Sequence, residues 1–245
     1  MRVAAVIGLA LVLAACDGST PLFEHDEKED VGTFPEADRP VATIISSRWS
    51  TEEARDRLNE AADVMDKAGI APGMTVADIG AGQGYYTVRL ASRVGPKGRV
   101  LAEDIVPEVR DALAERVARE RLDNVSVRLG EPADPKLPPH SFDRVLMVHM
   151  YHEIQEPYEF LWRLRPSLAP DGEVIVVDAD RVPQNHGMPP KLLECEFAAV
   201  GYKLVEKREM PSAGGYLAAF RAVGPRPEPE AIKPCRLSPE ERRAG

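Results

Sequence analysis

The sequence predicts a doubly wound α/β fold whose mostly parallel, seven-stranded sheet ends in an antiparallel hairpin. From residue 74 onward, short apolar runs of β type alternate with amphipathic segments. This alternation is typical of parallel strands joined by crossover helices. The first run ends in closely spaced glycines, as in nucleotide-binding βα units. Residues 202–209 and 216–223 are two further β-type runs, and the Ser-Ala-Gly-Gly turn between them predicts the hairpin.

The glycine loop lies in residues 76–90, which read VADIGAGQGYYTVRL. Gly80, Gly82 and Gly84 allow the backbone to approach a ligand closely, and the helix predicted after them offers free N–H groups. A dinucleotide fingerprint, G-x-G-x-x-G, requires glycine at position 85, where this chain has tyrosine. A glycine-rich turn that binds no ligand is the simpler alternative.

Asp78 lies two residues before the first glycine, and this pattern resembles motif I of the class I S-adenosylmethionine-dependent methyltransferases. The resemblance extends over about residues 40–223 and is greatest to the ubiquinone/menaquinone-biosynthesis branch. It implies a Rossmann-like methyltransferase fold and S-adenosyl-L-methionine as the cofactor. It also implies that Asp78 and the backbone of Gly80, Gly82 and Gly84 hold the methionine part of this donor.

The second predicted strand, residues 99–105, ends in two acids, Glu103 and Asp104. A carboxylate there can accept hydrogen bonds from both hydroxyls of a ribose. Strand alternation predicts that the two side chains point to opposite faces, and the family pattern favours Asp104. The family also contacts adenine after the third strand, often through an acid behind a glycine, and Glu131 has that position here.

A helix is predicted before the first strand. Residues 50–53, Ser-Thr-Glu-Glu, form a capping-box pattern at its start. Small and apolar residues recur every three or four positions along one face, at Ala54, Leu58, Ala61, Ala62 and Met65. The family often places such a helix over the cofactor. Arg48 and Trp49 could then line the site, although an exposed arginine and a core tryptophan are the simpler interpretation.

The acceptor side of the site is expected after the fourth strand, residues 141–148, because ligands bind at the carboxyl edge of parallel sheets. Methyl transfer needs a general base only when the nucleophile must lose a proton. His152, oriented by the neighbouring carboxylate of Glu153, is the best candidate for that base. A hydrogen-bonded pair that only shapes the loop is the alternative.

Other side chains near this edge have simpler predicted roles. His149 is expected in the core, whereas His186 could enter from the facing loop. Tyr85 and Tyr86 are expected to pack beside the cofactor. No histidine or cysteine spacing resembles a metal site, so no metal is expected. The formal net charge of −9 and the lack of a basic cluster argue against nucleic acid as a partner.

Residues 1–15 are predicted to be a signal peptide, with one positive charge and an apolar core too short to span a bilayer. Residues 13–16, Leu-Ala-Ala-Cys, resemble a bacterial lipobox, which implies cleavage before Cys16, its lipidation, and a membrane anchor facing the extracytoplasmic side. An ordinary signal peptide or a misassigned start is the alternative. An acidic linker at 16–40, a methyltransferase domain at 41–223 and a Pro-rich tail at 224–245 follow.

The predicted function is methyl transfer to a small-molecule or lipid-like acceptor by a protein whose only membrane contact is its lipid anchor. An extracytoplasmic binding protein that keeps the fold without methyl transfer is the alternative, because the donor is made in the cytoplasm. A nicotinamide-dependent oxidoreductase is disfavoured by Tyr85. Cys195 and Cys235 either pair in an oxidising compartment or remain separate thiols. The oligomeric state is left open.

Overall fold

The computed structural model describes residues 32–44 and 51–237. Seven strands form one sheet in the order β3-β2-β1-β4-β5-β7-β6. The first five strands in this order are parallel, whereas β7 is antiparallel to both β5 and β6. The strands are β1 (Thr75–Ile79), β2 (Arg99–Asp104), β3 (Val125–Leu129), β4 (Phe142–Val148), β5 (Leu168–Asp178), β6 (Tyr202–Met210) and β7 (Gly215–Ala222). The predicted fold class is confirmed.

Six α-helices accompany the sheet in the described ranges. They are α1 (Glu52–Arg57), α2 (Glu60–Lys67), α3 (Tyr85–Val94), α4 (Pro107–Glu120), α5 (Pro157–Leu164) and α6 (Pro190–Ala199). Helix α3 packs on β1 and β2, α4 packs on β2 and β3, and α5 packs on α6. The central strands are almost fully buried, as expected for parallel strands covered on both faces.

The chain reverses its direction of winding between β1 and β4, which lie side by side. Such a switch point leaves a crevice at the carboxyl ends of the strands, where open α/β sheets bind ligands. The loops after β1, β2 and β4 all open at this edge, because the three strands are parallel. The architecture therefore brings together segments that lie far apart in the sequence.

The helix predicted before β1 is two helices in the structure. Asn59 adopts a left-handed φ of 56° and separates α1 from α2. Leu58, assigned to the apolar face by its spacing, is 59% exposed at this break. Helix α1 begins at Glu52 and is capped by Thr51, whose side chain accepts a hydrogen bond from the N–H of Ala54. The N-cap is therefore Thr51, one residue after the Ser50 that the capping-box pattern implies.

The packed body includes residues on both sides of the predicted domain limits of 41 and 223. Arg39 is buried, and its Nε donates to Glu196 Oε1 at 2.7 Å. Cys235 is also buried and forms a disulfide with Cys195 on α6. The Trp162 indole donates to the carbonyl of Pro227 at 2.8 Å, so the tail is tied to α5 as well.

Among the described helices, none combines the length and the apolar character needed to cross a membrane. The predicted signal peptide, the lipidation site Cys16, and the candidate pocket residues Arg48 and Trp49 lie outside the described residues. The predictions made for them therefore stay predictions.

The disulfide is expected to stabilise the folded domain. It joins residues 40 positions apart, and loss of a native disulfide from a loop of this size costs about 2–5 kcal/mol. We expect the Cys195→Ser/Cys235→Ser variant to have a lower Tm than the wild type. Excess reductant should lower the wild-type Tm to a similar value and leave the variant unchanged. A count of free thiols verifies that the reduction is complete. Equal Tm values for the oxidised and the fully reduced wild type would contradict a stabilising role of the disulfide.

Candidate functional site

A cavity of about 590 Å³ opens at the carboxyl edge of the sheet. This volume lies in the range typical of small-molecule sites. The wall comprises the ends of β1 and β2, residues 80–83 of the glycine loop, the segment 148–155 after β4, and the first turn of α1. Ile44 and Thr51, which flank the undescribed residues 45–50, also line it.

The glycine loop has the backbone conformation that its sequence predicts. Gly80, Gly82 and Gly84 all have positive φ angles, between 57° and 88°. Gly82 lines the cavity with open space above its Cα, and its N–H donates to Asp104 Oδ2 at 3.0 Å. Gly84 lies below the wall, where a Cβ would come within 2.5 Å of Leu113 Cδ1. Gly84 therefore permits the close packing of α3 and α4, whereas Gly80 and Gly82 face the ligand space.

Asp78 is the buried acid at the end of β1. It is only 3% exposed, lines the cavity, and accepts a hydrogen bond from Thr87 Oγ1 at 2.6 Å. Burial raises the pKa of Asp78 to about 6, even though the bond from Thr87 favours the charged form. The nearby Asp104 carboxylate raises this pKa further. The site therefore holds a carboxylate that a positively charged ligand would stabilise.

Glu103 and Asp104 both line the cavity, although strand alternation predicts that they diverge. Both residues belong to β2, which ends at Asp104, and Asp104 Oδ1 accepts from the N–H of Val106 at 3.0 Å. Glu103 is 1% exposed, and its Oε1 has no hydrogen-bond partner in the described part of the chain. Burial and the adjacent Asp104 raise the pKa of Glu103 to about 8.

The structure does not bring Glu131 to the cavity. Its side chain is half-exposed and pairs with Lys136, at 3.5 Å between Oε1 and Nζ. Glu131 is also held in an isolated antiparallel bridge with Asp134. Pro132, the next residue, forms that part of the wall.

His152 and Glu153 lie in one turn of 3-10 helix after β4, but only Glu153 lines the cavity. The His152 side chain is fully buried, and its Nδ1 lies 2.9 Å and 3.1 Å from the two carboxylate oxygens of Asp178. The carboxylate that orients His152 is therefore Asp178, at the end of β5, and not Glu153. Sequence reasoning missed Asp178, although its position at a strand's carboxyl end was a usable signal.

The remaining predicted side chains are also near this edge. His149 lines the cavity, and burial lowers its pKa, which favours the neutral imidazole. Tyr85 and Tyr86 line the wall as well, with hydroxyls that donate to Asp56 and Glu60 respectively. His186 lies beside His152, with ring centroids 5.5 Å apart.

The charged side chains that line the cavity indicate which cofactor it can bind. Within the described residues, six acids and one arginine line it: Glu52, Glu53, Asp78, Glu103, Asp104, Glu153 and Arg55. S-Adenosylmethionine carries two cationic groups, a sulfonium and an ammonium, against one carboxylate, and the buried acceptor Glu103 Oε1 suits a ribose hydroxyl. A dinucleotide would instead bring its pyrophosphate charges against these acids. The residues present therefore fit S-adenosylmethionine better than a nicotinamide cofactor.

The raised pKa of Glu103 predicts how stability depends on pH. A folded-state pKa of about 8, against an ordinary value of 4.5, means stability is lost as pH rises from about 4.5 through 8. A one-unit difference between folded and unfolded pKa values corresponds to about 1.4 kcal/mol. We expect Glu103→Gln, which mimics the neutral acid, to flatten the decline in unfolding free energy over this range. Denaturant titrations at several pH values measure the unfolding free energy and so its decline with pH.

The control for this experiment is Glu131→Gln, which removes an acid that is half-exposed and outside the cavity. This variant should keep the wild-type pH profile. A Glu103→Gln profile as steep as the wild-type profile would show that Glu103 does not titrate in this range. The unfolding free energy of Glu103→Gln should still decline, less steeply, as pH rises through about 6, because the pKa of Asp78 is also raised.

Comparison with known proteins agrees with S-adenosylmethionine as the cofactor. Residues 76–172 match the family described as "Methyltransferase domain". The arsenite methyltransferase of Halobacterium salinarum is 34% identical over 114 residues, which cover 45% of this chain and 28% of that enzyme. The ubiquinone/menaquinone biosynthesis C-methyltransferase UbiE of Bordetella parapertussis is 28% identical over 177 residues, 67% of each chain. The matched stretch thus spans less than a third of the first relative's length.

A solved structure shows the same fold. The crystal structure of a SAM-dependent methyltransferase from Aquifex aeolicus superposes with a TM-score of 0.60 and 24% identity, covering 70% of this chain and 97% of that one. At this identity the likeness concerns the fold alone. The sheet topology and this superposition show a Rossmann-like methyltransferase fold, and the domain match and the pocket residues support S-adenosylmethionine as the cofactor.

Proposed function

We propose that the protein transfers a methyl group from S-adenosylmethionine to a small-molecule or lipid-like acceptor on the extracytoplasmic side of a membrane. The observation that carries this proposal is the set of buried acids beside the glycine loop. Asp78 and Glu103 have raised pKa values because they are buried, and with Asp104 they face one cavity. A cationic donor offsets the cost of holding such carboxylates away from water.

The donor side uses the strand ends and the loop between them. We assign the methionine part to Asp78 and to the backbone around Gly80 and Gly82, next to the first turn of α3. Asp104 and Glu103 are assigned to the ribose hydroxyls. When bound, S-adenosylmethionine supplies a methyl group that is already activated by its positive sulfur. Glu131 has no part in this assignment, because its side chain pairs with Lys136 outside the cavity.

The acceptor side is assigned to the turn after β4. The protein's main task is to hold the acceptor in line with the methyl group, at about 3–3.5 Å. We propose that His152 and Glu153 promote loss of the acceptor's proton. Glu153 faces the cavity, whereas His152 is buried behind it and held by Asp178. His152 would therefore act through a neighbour rather than by direct contact with the acceptor.

The acceptor itself is proposed only as a class. The matched relatives are named for arsenite methylation and for C-methylation in quinone biosynthesis, so their names do not agree on an acceptor. The quinone-pathway relative covers two thirds of both chains and supports a small organic acceptor. A lipid anchor at Cys16 would hold the cavity close to membrane-borne molecules and so favours a lipid-like one.

The disulfide supports the proposed location, because such bonds persist in oxidising compartments. The same feature favours a second candidate function, in which the protein binds a ligand outside the cytoplasm without methyl transfer. The donor is made in the cytoplasm, and its supply to that location is a separate requirement. Mass spectrometry of the natively purified protein separates the two functions. S-Adenosylhomocysteine in the cavity supports transfer, and an unrelated ligand supports the binding protein.

Donor binding should depend on Asp104. Hydrogen bonds to charged groups contribute about 1.5–3 kcal/mol, so Asp104→Asn should weaken S-adenosylhomocysteine binding about 10- to 100-fold. Isothermal titration calorimetry measures the affinity, and the Tm of each variant confirms folding. Glu131→Gln is the matched control and should bind like the wild type. No heat from folded wild-type protein with either S-adenosylmethionine or S-adenosylhomocysteine would overturn the proposed function.

Location should depend on Cys16. In bacterial membrane fractions, we expect the wild type to partition with the membrane through its lipid, whereas Cys16→Ser should become soluble after processing or stay as a precursor. Metabolic labelling with a fatty acid should mark the wild type only. Membrane retention of an unlabelled, normally processed Cys16→Ser protein would show that lipid at this residue is not the anchor.

A further inference from the structure

Three potential metal ligands converge at the carboxyl edge of the sheet, beside the cavity. His152 and Glu153 belong to the turn after β4, and His186 follows the 3-10 turn Pro183–Asn185 after β5. One ligand atom from each of the three residues lies within 4.8 Å of the others. Because β4 and β5 are parallel neighbours, their loops emerge side by side at this edge. The convergence is therefore a product of the topology.

The buried imidazole of His152 is the observation that points to a ligand. Its Nδ1 is held by Asp178, and Asp178 Oδ1 also accepts the N–H of Ala179 at 2.8 Å. This pairing makes Nδ1 the donor and leaves the Nε2 lone pair available. Nε2 is buried and has no hydrogen-bond partner within residues 32–44 and 51–237. An unsatisfied buried polar atom costs about 1–3 kcal/mol, and a cation at this point removes the cost.

We propose that His152 Nε2, His186 and Glu153 form a divalent metal site, with zinc as the best-suited ion. Two histidines and one glutamate are a donor set of catalytic zinc sites, which keep a fourth position open. Asp178 has the role of the outer carboxylate, which orients a ligating histidine through its other ring nitrogen. Ligand atoms on one zinc ion lie about 3.3–3.5 Å apart for bonds of about 2.0–2.1 Å. The ligand atoms now lie within 4.8 Å of one another, so binding would draw them together by up to about 1.5 Å.

The full burial of His152 distinguishes this role from that of a general base. A base must come within hydrogen-bond reach of the proton that it removes, whereas the His152 side chain is fully buried and lies outside the cavity wall. A ligand needs only to reach the metal. Glu153 belongs both to the wall and to the cluster, so a bound ion would lie at the boundary of the cavity.

A metal site at this place restricts the chemical class of the methyl acceptor. This step rests on the proposed function. An ion with an open position toward the cavity would bind an acceptor hydroxyl and release its proton to water. The O–C bond then forms as the S–C bond of the donor breaks, and the electron pair of the broken bond stays on sulfur as a neutral thioether. A hydroxyl compound is the acceptor class that we propose for such an ion, and its product would be a methyl ether.

The test uses the full chain, stripped with EDTA and then titrated with zinc or cobalt(II). We expect about one ion per chain and the visible absorption of four-coordinate cobalt. His186→Asn should lower zinc affinity at least about 10-fold and lose that spectrum. His140→Asn is the matched control, because His140 is exposed and, like His186, has a left-handed φ near 50° that asparagine tolerates. It should bind like the wild type.

Asp178→Asn tests the positioning residue. Loss of the outer carboxylate should weaken zinc binding about 10- to 100-fold and shift the cobalt spectrum, while S-adenosylhomocysteine still binds. Absence of zinc binding by a protein that binds S-adenosylhomocysteine normally would overturn the metal site and leave the proposed function standing. Equal zinc affinity in His186→Asn and the wild type would also overturn it. Zinc binding without any donor binding would overturn the proposed function instead.

Discussion

The parallel arrangement of β2, β1, β4 and β5 is the constraint on which the rest of the structure depends. Parallel strands all end at the same edge, and the register places Ile79 of β1 opposite Glu103 of β2 and Met147 of β4. The residues that follow these positions therefore meet, although they come from segments about 25 to 70 positions apart. Asp178 joins them because β5 pairs with β4 through Val177 and Val148.

Two neighbouring places at this edge hold polar groups that are incompletely satisfied. In the first, burial raises the pKa values of Asp78 and Glu103. In the second, the Nε2 atom of His152 has no partner in the described chain. Each arrangement costs folding free energy and is relieved by positive charge. Groups perturbed in this way concentrate at functional sites, and here both places lie at the carboxyl edge of the same sheet.

Local patterns were enough to predict much of the architecture. The glycine loop, the alternation of strands and helices, and the hairpin turn each depend on residues close together in the sequence, so the strand positions could be inferred. Asp78 and Asp104, which the sequence places at the ends of the first two strands, both line the cavity. The break at Asn59 was missed because a helical periodicity passes through it unchanged, and only the left-handed φ reveals it.

Features that depend on tertiary packing could not be predicted. Asp178 orients His152 from a different strand, 26 positions away, and no local pattern links the two residues. Glu131 follows the family's glycine, but the turn that it forms directs its side chain toward Lys136. The pairing of Cys195 with Cys235 could not be predicted either, because whether two thiols meet depends on how the tail packs.

Hydrogen bonds around Tyr151 connect the turn after β4 to residues 39–42 and to α6. The Tyr151 hydroxyl donates to Glu196, which also accepts from Arg39, and the N–H of Ala42 donates to the carbonyl of His152. These bonds tie residues 39–42, the turn after β4, and α6 into one unit. Units of this kind open together in native-state hydrogen exchange. Slow exchange of the Ala42 amide would then report on the order of the turn after β4, which contributes Glu153 to the cavity wall.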